Sequence, residues 1–331
     1  MNKEIENLII VGNGFDAHCG LKSNFKDFFQ QISSSLKDIE NFWNEPIHYE
    51  SELPVNKPRS TIVAQLIGGN ESNSLLAEMD IQKLESQTRV PLFLKSRTEI
   101  ESLMGNKIIT RPEGGFWAAY FNLKNEIPNY WYDVEKILRD FFEKSVSDIG
   151  IQDSSTLKHD YKSTTMTQFE GIYESIAALE VILNGDIDSE EAQKKLTYLS
   201  EMDETTQKIV YLLINVFSFD PEQDKLSDFL LIHLNIIENV FAKYLLKEVK
   251  GNTDYENKAQ LVLSKLSGNT PYNLLDFNYT EPKSQTLEVS RNIHSTLENN
   301  PIFGIDSAEV NANANYYQFT KTYRIMRLER V

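Results

Sequence analysis

The sequence predicts an α/β protein in which a parallel sheet is split by a long helical insertion. The chain opens with a short apolar run, Leu8–Val11, that ends at a glycine turn, which is typical of a buried parallel strand. Apolar residues then recur at helical spacing through the middle of the chain, and short apolar or β-branched runs return after about residue 270. We therefore predict a split α/β domain of residues 1–40 and 270–331, with residues 41–269 as a mainly helical insertion.

The turn after the first strand has a pattern that is typical of phosphate binding. Residues 12–17 fit G-x-G-x-x-A, a variant of the dinucleotide-binding motif. A strand, a glycine turn and a helix in this order place backbone N–H groups at a helix N-terminus, where an anion is stabilised. The candidate ligand contacts of the turn are Gly12, Asn13, Gly14, Phe15 and Asp16. Two alternatives stay open, a tight turn that serves only packing and an Asp16 that caps the first helix.

The middle of the chain contains apolar stripes that we assign to the core. One helix is predicted around residues 25–36, and two more around residues 131–142 and 169–183. The longest is predicted from Pro221 to about Lys250, with Asp220 as its N-cap and Gly251 at its end. None of these stripes requires a cofactor.

Polar residues follow three predicted strands near the C-terminus, at residues 272–277, 287–293 and 301–305. Ligands of an open parallel sheet bind beyond the carboxyl ends of its strands. The polar or glycine residues at these ends are Asn278 and Thr280, then His294, then Gly304 and Asp306. His294 is the natural general base because imidazole titrates near neutral pH, although a hydrogen-bonded structural histidine is the alternative. Asn278 is suited either to a turn or to orienting a water or a ribose hydroxyl.

Composition argues against several classes of protein. The net charge of −16, from 33 basic and 49 acidic residues, disfavours nucleic acid as a partner. A basic group near the C-terminus is interpreted as a solvated helix face; its members are Lys321, Arg324, Arg327 and Arg330. No cluster has metal-ligand spacing, so no metal is expected. The single cysteine, Cys19, the lack of a signal pattern and the lack of an apolar run of roughly 18 residues predict a cytoplasmic protein with no membrane contact.

Several short motifs, taken in order, resemble the bacteriophage abortive infection AbiH family. They are NLIIVGNGFDAHCGLKSNFKDFF at residues 7–29, LLDFNYT at 274–280, NIHS at 292–295 and IFGID at 302–306. Two further elements, WYDVEKIL at 131–138 and FTK at 319–321, also look like family elements. The resemblance implies antiviral defence by abortive infection, in which the infected cell stops growing or dies after a phage-derived trigger.

The AbiH family is in turn distantly similar to sirtuin-like NAD-binding proteins of the DHS type. This likeness implies a Rossmann-like parallel sheet that binds NAD or a related nucleotide, as ligand or as substrate of a hydrolase that cleaves the nicotinamide–ribose bond. By the same likeness, Gly12, Gly14 and Asp16 match the dinucleotide turn, Asn278 the amide that faces the ribose, His294 the catalytic base, and Gly304 with Asp306 the last element.

Two departures from the family pattern leave a second function open. Ser295 follows the histidine where the family usually has glycine, which restricts the approach of a ligand to the backbone. The chain ends at Val331, where such proteins typically continue with a strand and a Gly-His-Ser segment. These departures favour a non-enzymatic nucleotide sensor or an inactive, truncated homologue in phage defence. The sequence also leaves open whether the protein forms a homo-oligomer.

Overall fold

A computed structural model describes most of the helices and all strands discussed below. The described residues are 7–44, 109–123, 131–144, 166–184, 189–190, 194–195, 198–199, 202–221, 223–299, 301–306, 310, 314 and 316–328. The chain forms two compact units. Unit 1 consists of residues 1–34, 124–136 and 231–331, and unit 2 consists of residues 35–123 and 137–230. The predicted domain boundaries at residues 40 and 270 stay a prediction.

Unit 1 contains a three-stranded parallel sheet made of the first strand and two C-terminal strands. The strands are β1 (Leu8–Val11), β2 (Tyr272–Asp276) and β3 (Leu287–Asn292), in the order β1-β2-β3. The predicted pairing of N-terminal and C-terminal strands in one parallel sheet is therefore confirmed. The predicted strand at 301–305 is wrong, because this segment forms only a single bridge, between Ile305 and Thr320, and does not join the sheet.

One face of the sheet is packed, and the other face carries exposed apolar side chains from β1 and β3. Apolar residues of β1 and β2 on the packed face contact helix α8 (Tyr255–Ser267) through a shared core; they are Ile9, Val11, Tyr272 and Leu274. On the opposite face Leu8 and Ile10 are each 61% exposed, and Val289 is 59% exposed. The prediction that the first strand is buried is therefore wrong for the face of Leu8 and Ile10, whereas Val11 is buried. The solid apolar run gave no alternation from which a one-sided sheet could be inferred.

The other helices of unit 1 are built on aromatic packing. Helix α1 (Asn13–His18) directly follows β1, and α2 (Phe25–Asn44) begins in this unit. Phe25 stacks on Phe241 of α7 (Leu226–Gly251) with ring centroids 4.5 Å apart, and lies 5.2 Å from the ring of Phe303. These contacts hold the segment 301–305 against α2 and α7.

Helix α7 begins five residues later than predicted. The backbone carbonyl of Asp220 accepts hydrogen bonds from the N–H groups of Gln223 and Asp224, and the carboxylate of Asp224 accepts one from the N–H of Asp220. These bonds close a separate turn, so Asp220 does not cap α7.

Helix α7 is long and apolar enough to span a membrane by length and composition alone, and half of its most apolar window is buried. A core helix of a soluble protein passes the same test, so this finding is only weak evidence that α7 crosses a membrane.

Unit 2 contains helices whose starts are capped by side chains. Among the described residues its helices are α3 (Gly115–Leu123), α5 (Gln168–Asn184) and α6 (Glu204–Asn215), together with the second half of α4 (Trp131–Glu143), the part of α2 from residue 35 onward and the first residues of α7. The carboxylate of Asp203 caps α6 by accepting a hydrogen bond from the N–H of Thr206 at 2.8 Å. Thr167 and Glu170 form a reciprocal capping box at the start of α5. The predicted helices at 131–142 and 169–183 are confirmed.

The basic group that we predicted as a solvated helix face is solvated only in part. Arg327 is exposed, Lys321 and Arg324 are not, and Arg330 lies outside the described residues. Helix α9 (Lys321–Leu328) follows a short 3₁₀ turn at Tyr317–Phe319. The guanidinium of Arg324 binds the buried carboxylate of Glu238 on α7 and the carbonyl of Phe303. Lys321 forms an ion pair with Glu135 of α4, and the Lys321 side chain is only 13% exposed. Two of the basic residues thus neutralise buried carboxylates.

Candidate functional site

The carboxyl ends of the three strands meet at one edge of the sheet. In the strand register Val11 pairs with Asp276, and Asp276 pairs with Asn292. The pairing extends beyond this point, since the N–H of Phe277 donates to the carbonyl of Val11 at 3.0 Å and the N–H of Ile293 donates to that of Asp276 at 2.8 Å. The segments 12–16, 276–280 and 292–294 are therefore brought together, as the sequence predicts.

The glycine turn at this edge leaves open space. Gly12 is the N-cap of α1 with an extended backbone (φ −144°, ψ −169°), and α1 continues through Asn13, Gly14 and Phe15. Among the described residues, a Cβ atom at Gly12 or Gly14 would have no neighbour within 4 Å. Packing thus does not require glycine at either position, which argues against a turn that serves only packing. The aromatic ring of Phe15 is buried in the core between the sheet and α8.

Asp16 belongs to a buried hydrogen-bond network that joins three parts of unit 1. Its carboxylate accepts a hydrogen bond of 2.6 Å from the hydroxyl of Tyr255 on α8 and one of 2.9 Å from the hydroxyl of Thr280 after β2. Asp16 lies within α1 and does not cap it, so the capping alternative is wrong. Burial raises the pKa of Asp16 to about 6, although the hydrogen bonds from Tyr255 and Thr280 oppose this shift.

The two hydroxyl oxygens of this network also lie close to each other. The oxygen of Tyr255 lies 3.1 Å from that of Thr280, and both residues are buried. Asp16 and Thr280, which we predicted as ligand contacts, thus already hold the turn and the β2 loop together. Because Tyr255 is 239 residues from Asp16 in the chain, sequence spacing gave no signal for this contact.

Asp276 and Asn278 provide buried polar atoms that have no partner among the described residues. One carboxylate oxygen of Asp276 accepts a hydrogen bond of 2.7 Å from the N–H of Asn278. Within the described part of the chain, the other oxygen of Asp276 and both amide atoms of Asn278 have no hydrogen-bond partner. Asn278 is only 2% exposed and Asp276 is fully buried. Unsatisfied buried groups are costly, so these atoms are suited to a ligand or a bound water.

The buried surroundings of Asp276 also change the pKa of its carboxyl group. Burial raises the pKa of Asp276 to about 7, and the nearby carboxyl of Asp16 raises it further. The N–H of Asn278 opposes the shift, and so does the Asn278 amide, which lies nearby without hydrogen-bond geometry. The amide of Asn292 fixes this loop by donating to the carbonyls of Asn278 and Thr280 at 3.2 and 2.9 Å. The last residue of β2 is therefore a carboxyl that changes charge near neutral pH.

His294 lies on the same edge with its imidazole largely buried. Its ring centroid is 5.7 Å from that of Phe277 and 6.4 Å from that of Tyr279. Burial lowers the pKa of His294 to about 4, and the positive charge of Lys321 lowers it further. The imidazole is consequently neutral at physiological pH, but the expected titration near neutral pH is wrong, because burial makes this histidine a weaker base than an ordinary one. Ser295, directly after it, has a left-handed backbone with φ of 72°.

Gly304 and Asp306 have surroundings of a different kind. A Cβ at Gly304 would lie 2.7 Å from the carbonyl oxygen of Phe319, so glycine is required here by close backbone packing. Asp306 is exposed, and its charge acts on Lys321.

The sequence did not single out Tyr255, Asp276, Glu135 or Lys321 as site residues. For Asp276 a signal existed, namely an acidic residue that ends an otherwise apolar strand.

Any assignment of this chain to a family depends on its sequence motifs alone. No family model, curated protein or solved structure matches this chain. The resemblance to the AbiH family, and the more distant one to sirtuin-like proteins, therefore stay predictions. Among the residues for which positions are described, no group of three or more His, Cys, Asp or Glu could hold a metal ion.

Proposed function

We propose that this protein binds a nucleotide, NAD or a close relative, at the carboxyl edge of its parallel sheet. The main support is Asn278, a buried amide whose donor and acceptor are both unpaired within the described chain, beside the equally unpaired oxygen of Asp276. An amide and a carboxyl together complement the hydroxyl groups of a ribose, since they offer one donor and two acceptors. The open space around Gly12 and Gly14 suits the approach of a phosphate group to the backbone.

We further propose that the bound NAD is hydrolysed at the nicotinamide–ribose bond, as the resemblance to sirtuin-like proteins implies. In this reaction a water oxygen bonds to the ribose carbon and the carbon–nitrogen bond breaks. The bonding electron pair moves to the ring nitrogen and leaves neutral nicotinamide. His294 accepts the proton that the water loses, which its neutral imidazole permits. Depletion of NAD would then stop the growth of an infected cell, which agrees with abortive infection.

The direct test is to incubate purified protein with NAD and measure nicotinamide release, with and without extract from phage-infected cells. His294→Gln is expected to lower the rate by about 100-fold or more, since a lost general base costs that much. Asn278→Ala is expected to weaken NAD binding. His18→Ala is the matched control, because His18 is an exposed histidine next to the same turn. Unchanged NAD with every extract would overturn the hydrolytic part of the proposal.

The glycine turn allows a separate test of binding. The added methyl group of Gly14→Ala meets no atom of the described residues within 4 Å and lies in α1, so the variant should fold at least as stably as the wild type. If a phosphate approaches this backbone, the same change should weaken NAD binding, measured by calorimetry. Equal affinity in Gly14→Ala and wild type would contradict a ligand at the turn.

A non-enzymatic nucleotide sensor is the second candidate function. It is favoured by Ser295, whose side chain and left-handed backbone occupy the position directly after the proposed base. A sensor would show nucleotide-dependent thermal stabilisation without turnover, and His294→Gln would still protect cells in a plaque assay. A hydrolase would lose protection with the same substitution, so this assay separates the two candidates.

A further inference from the structure

At the end of β2, three buried polar atoms have no hydrogen-bond partner within the described part of the chain. They are one carboxylate oxygen of Asp276 and the amide oxygen and nitrogen of Asn278. The network beside them is satisfied, since the hydroxyls of Tyr255 and Thr280 both donate to the carboxylate of Asp16. When its carboxyl is charged, the Asp276–Asn278 pair is therefore left with two acceptors and one donor.

These three atoms lie one strand away from the glycine turn. Val11, the last residue before the turn, pairs with Asp276, and the N–H of Phe277 donates to the carbonyl of Val11 at 3.0 Å. Neighbouring strands of a sheet are about 4.8 Å apart. A nucleotide whose phosphate lies at the turn after β1 can therefore place its sugar at the end of β2. A carboxylate at that place repels a phosphate but accepts hydrogen bonds from sugar hydroxyls.

We propose that Asp276 and Asn278 select a ribose over a 2′-deoxyribose, by pairing with both hydroxyls of the ribose 2′,3′-diol. This inference rests on the proposed function, nucleotide binding at the edge of the sheet. The two hydroxyls of the diol donate to the two acceptors, and one hydroxyl oxygen accepts from the amide nitrogen of Asn278. A 2′-deoxyribose lacks one of the two donors and leaves a buried acceptor unpaired, which is costly.

The free carboxylate oxygen of Asp276 has a fixed position. The other oxygen of the same carboxylate accepts a hydrogen bond of 2.7 Å from the backbone N–H of Asn278. In Asp276→Asn, the amide oxygen of the new side chain is expected to accept this bond, so its NH₂ group takes the place of the free acceptor. The variant keeps the size of the side chain and should fold, but it presents a donor where the wild type presents an acceptor.

The test is isothermal titration calorimetry of the full-length protein with NAD and with two analogues, each of which lacks the 2′-hydroxyl of one of the two riboses. The titrations are made at about pH 8.5, above the pKa of about 7 that burial gives Asp276, so that the carboxylate is charged and only accepts hydrogen bonds. The wild type should bind one analogue about 10- to 100-fold more weakly than NAD, because a hydrogen bond to a charged group is lost.

The same titrations with two variants assign this preference to Asp276. In Asp276→Asn the binding of NAD should weaken while that of the disfavoured analogue stays nearly unchanged, so the preference should fall to about threefold or less. Glu288→Gln, at an exposed carboxylate on β3, is the control and should keep the full preference.

Two results would overturn the inference. Equal binding of NAD and both analogues to the wild type would show that no hydroxyl of the diol pairs with the buried atoms. A full preference in Asp276→Asn would show that the hydroxyl is recognised elsewhere. The proposed function fails in a different way, by the absence of any NAD binding to the wild type. A protein that binds NAD but releases no nicotinamide would lose the hydrolytic proposal and keep the ribose preference.

Discussion

Ser295 adopts a backbone conformation that glycine tolerates better than any other residue. Its φ of 72° lies in the left-handed region, where a Cβ atom crowds the following carbonyl. We expect Ser295→Gly to increase the free energy of unfolding by about 1 kcal/mol, measured by urea denaturation. Ser290→Gly, in the extended backbone of β3, should instead decrease it by roughly 0.5 to 1 kcal/mol. Destabilisation by both substitutions would show that the side chain of Ser295 makes a contact worth more than the strain.

Asp276 should make stability depend on pH in a direction opposite to that of most carboxylates. Its pKa is about 7 in the folded protein against 3.8 for an ordinary aspartate, so the folded state binds more protons between these values. The stability from this group is therefore complete below pH 4 and is lost as the pH rises through 7.

The substitution Asp276→Asn isolates this effect. Asparagine does not titrate, so the variant should gain stability relative to the wild type by on the order of 4 kcal/mol between pH 4 and pH 8, measured by urea denaturation. The opposing contribution of His294, whose lowered pKa favours folding as the pH rises, is present in both proteins and cancels in the difference. Glu288→Gln, at an exposed carboxylate on β3, should give a curve parallel to the wild type. A parallel curve for Asp276→Asn would contradict the raised pKa.

At the scale of elements, Tyr255 joins α8 to both the glycine turn and the β2 loop. Tyr255→Phe removes the donor to Asp16 and leaves that buried carboxyl with one partner fewer. We expect a loss of about 1 to 3 kcal/mol in the free energy of unfolding. Tyr272→Phe is the matched control, because the Tyr272 hydroxyl is buried with no partner among the described residues. That substitution should be neutral or stabilising, and equal losses for the two variants would refute the role of Tyr255.

The strands show what local sequence predicts and where it fails. The run Leu8–Val11 and the later strands were found because apolar residues bounded by polar or glycine residues mark strands of a parallel sheet. The exposure of Leu8 and Ile10 was not predicted, because an uninterrupted apolar run does not show whether one or both faces of the strand are covered. The segment 301–305 was predicted as a strand from the same kind of run, but its partner is the single residue Thr320. Strand pairing depends on distant residues, and a local pattern does not specify them.

The candidate site was predicted in part for a related reason. The meeting of the turn, Asn278 and His294 follows from the rule that parallel strands align their carboxyl ends, so their positions could be predicted from the order of strands. The hydrogen bonds that Asp16 and Thr280 make within the protein could not be predicted. They involve Tyr255, which lies in a helix that the sequence pattern did not indicate. Similarly, the pairing of Lys321 with Glu135 joins residues that are far apart in the chain.

At the scale of the whole molecule, the net charge of −16 predicts a response to salt. Like charges repel one another in the compact state, and salt screens this repulsion. We expect the Tm to rise by a few degrees as NaCl increases from about 0.05 M to about 0.5 M, with the same rise in KCl. The measurement is differential scanning fluorimetry at fixed pH. A lower Tm at high salt would show that the ion pairs outweigh the general repulsion. The cytoplasmic location of the protein stays a prediction.

The ion pairs of α9 have a consequence for how the gene tolerates late stop codons. Lys321 and Arg324 lie in the last tenth of the chain, yet they neutralise Glu135 and Glu238, which belong to helices that precede α9 in the sequence. A nonsense mutation just before codon 321 would preserve all three strands and leave two anions stranded in the interior. Such an allele should behave as a complete loss of protein, degraded by cellular proteases, and not as a shortened but working product.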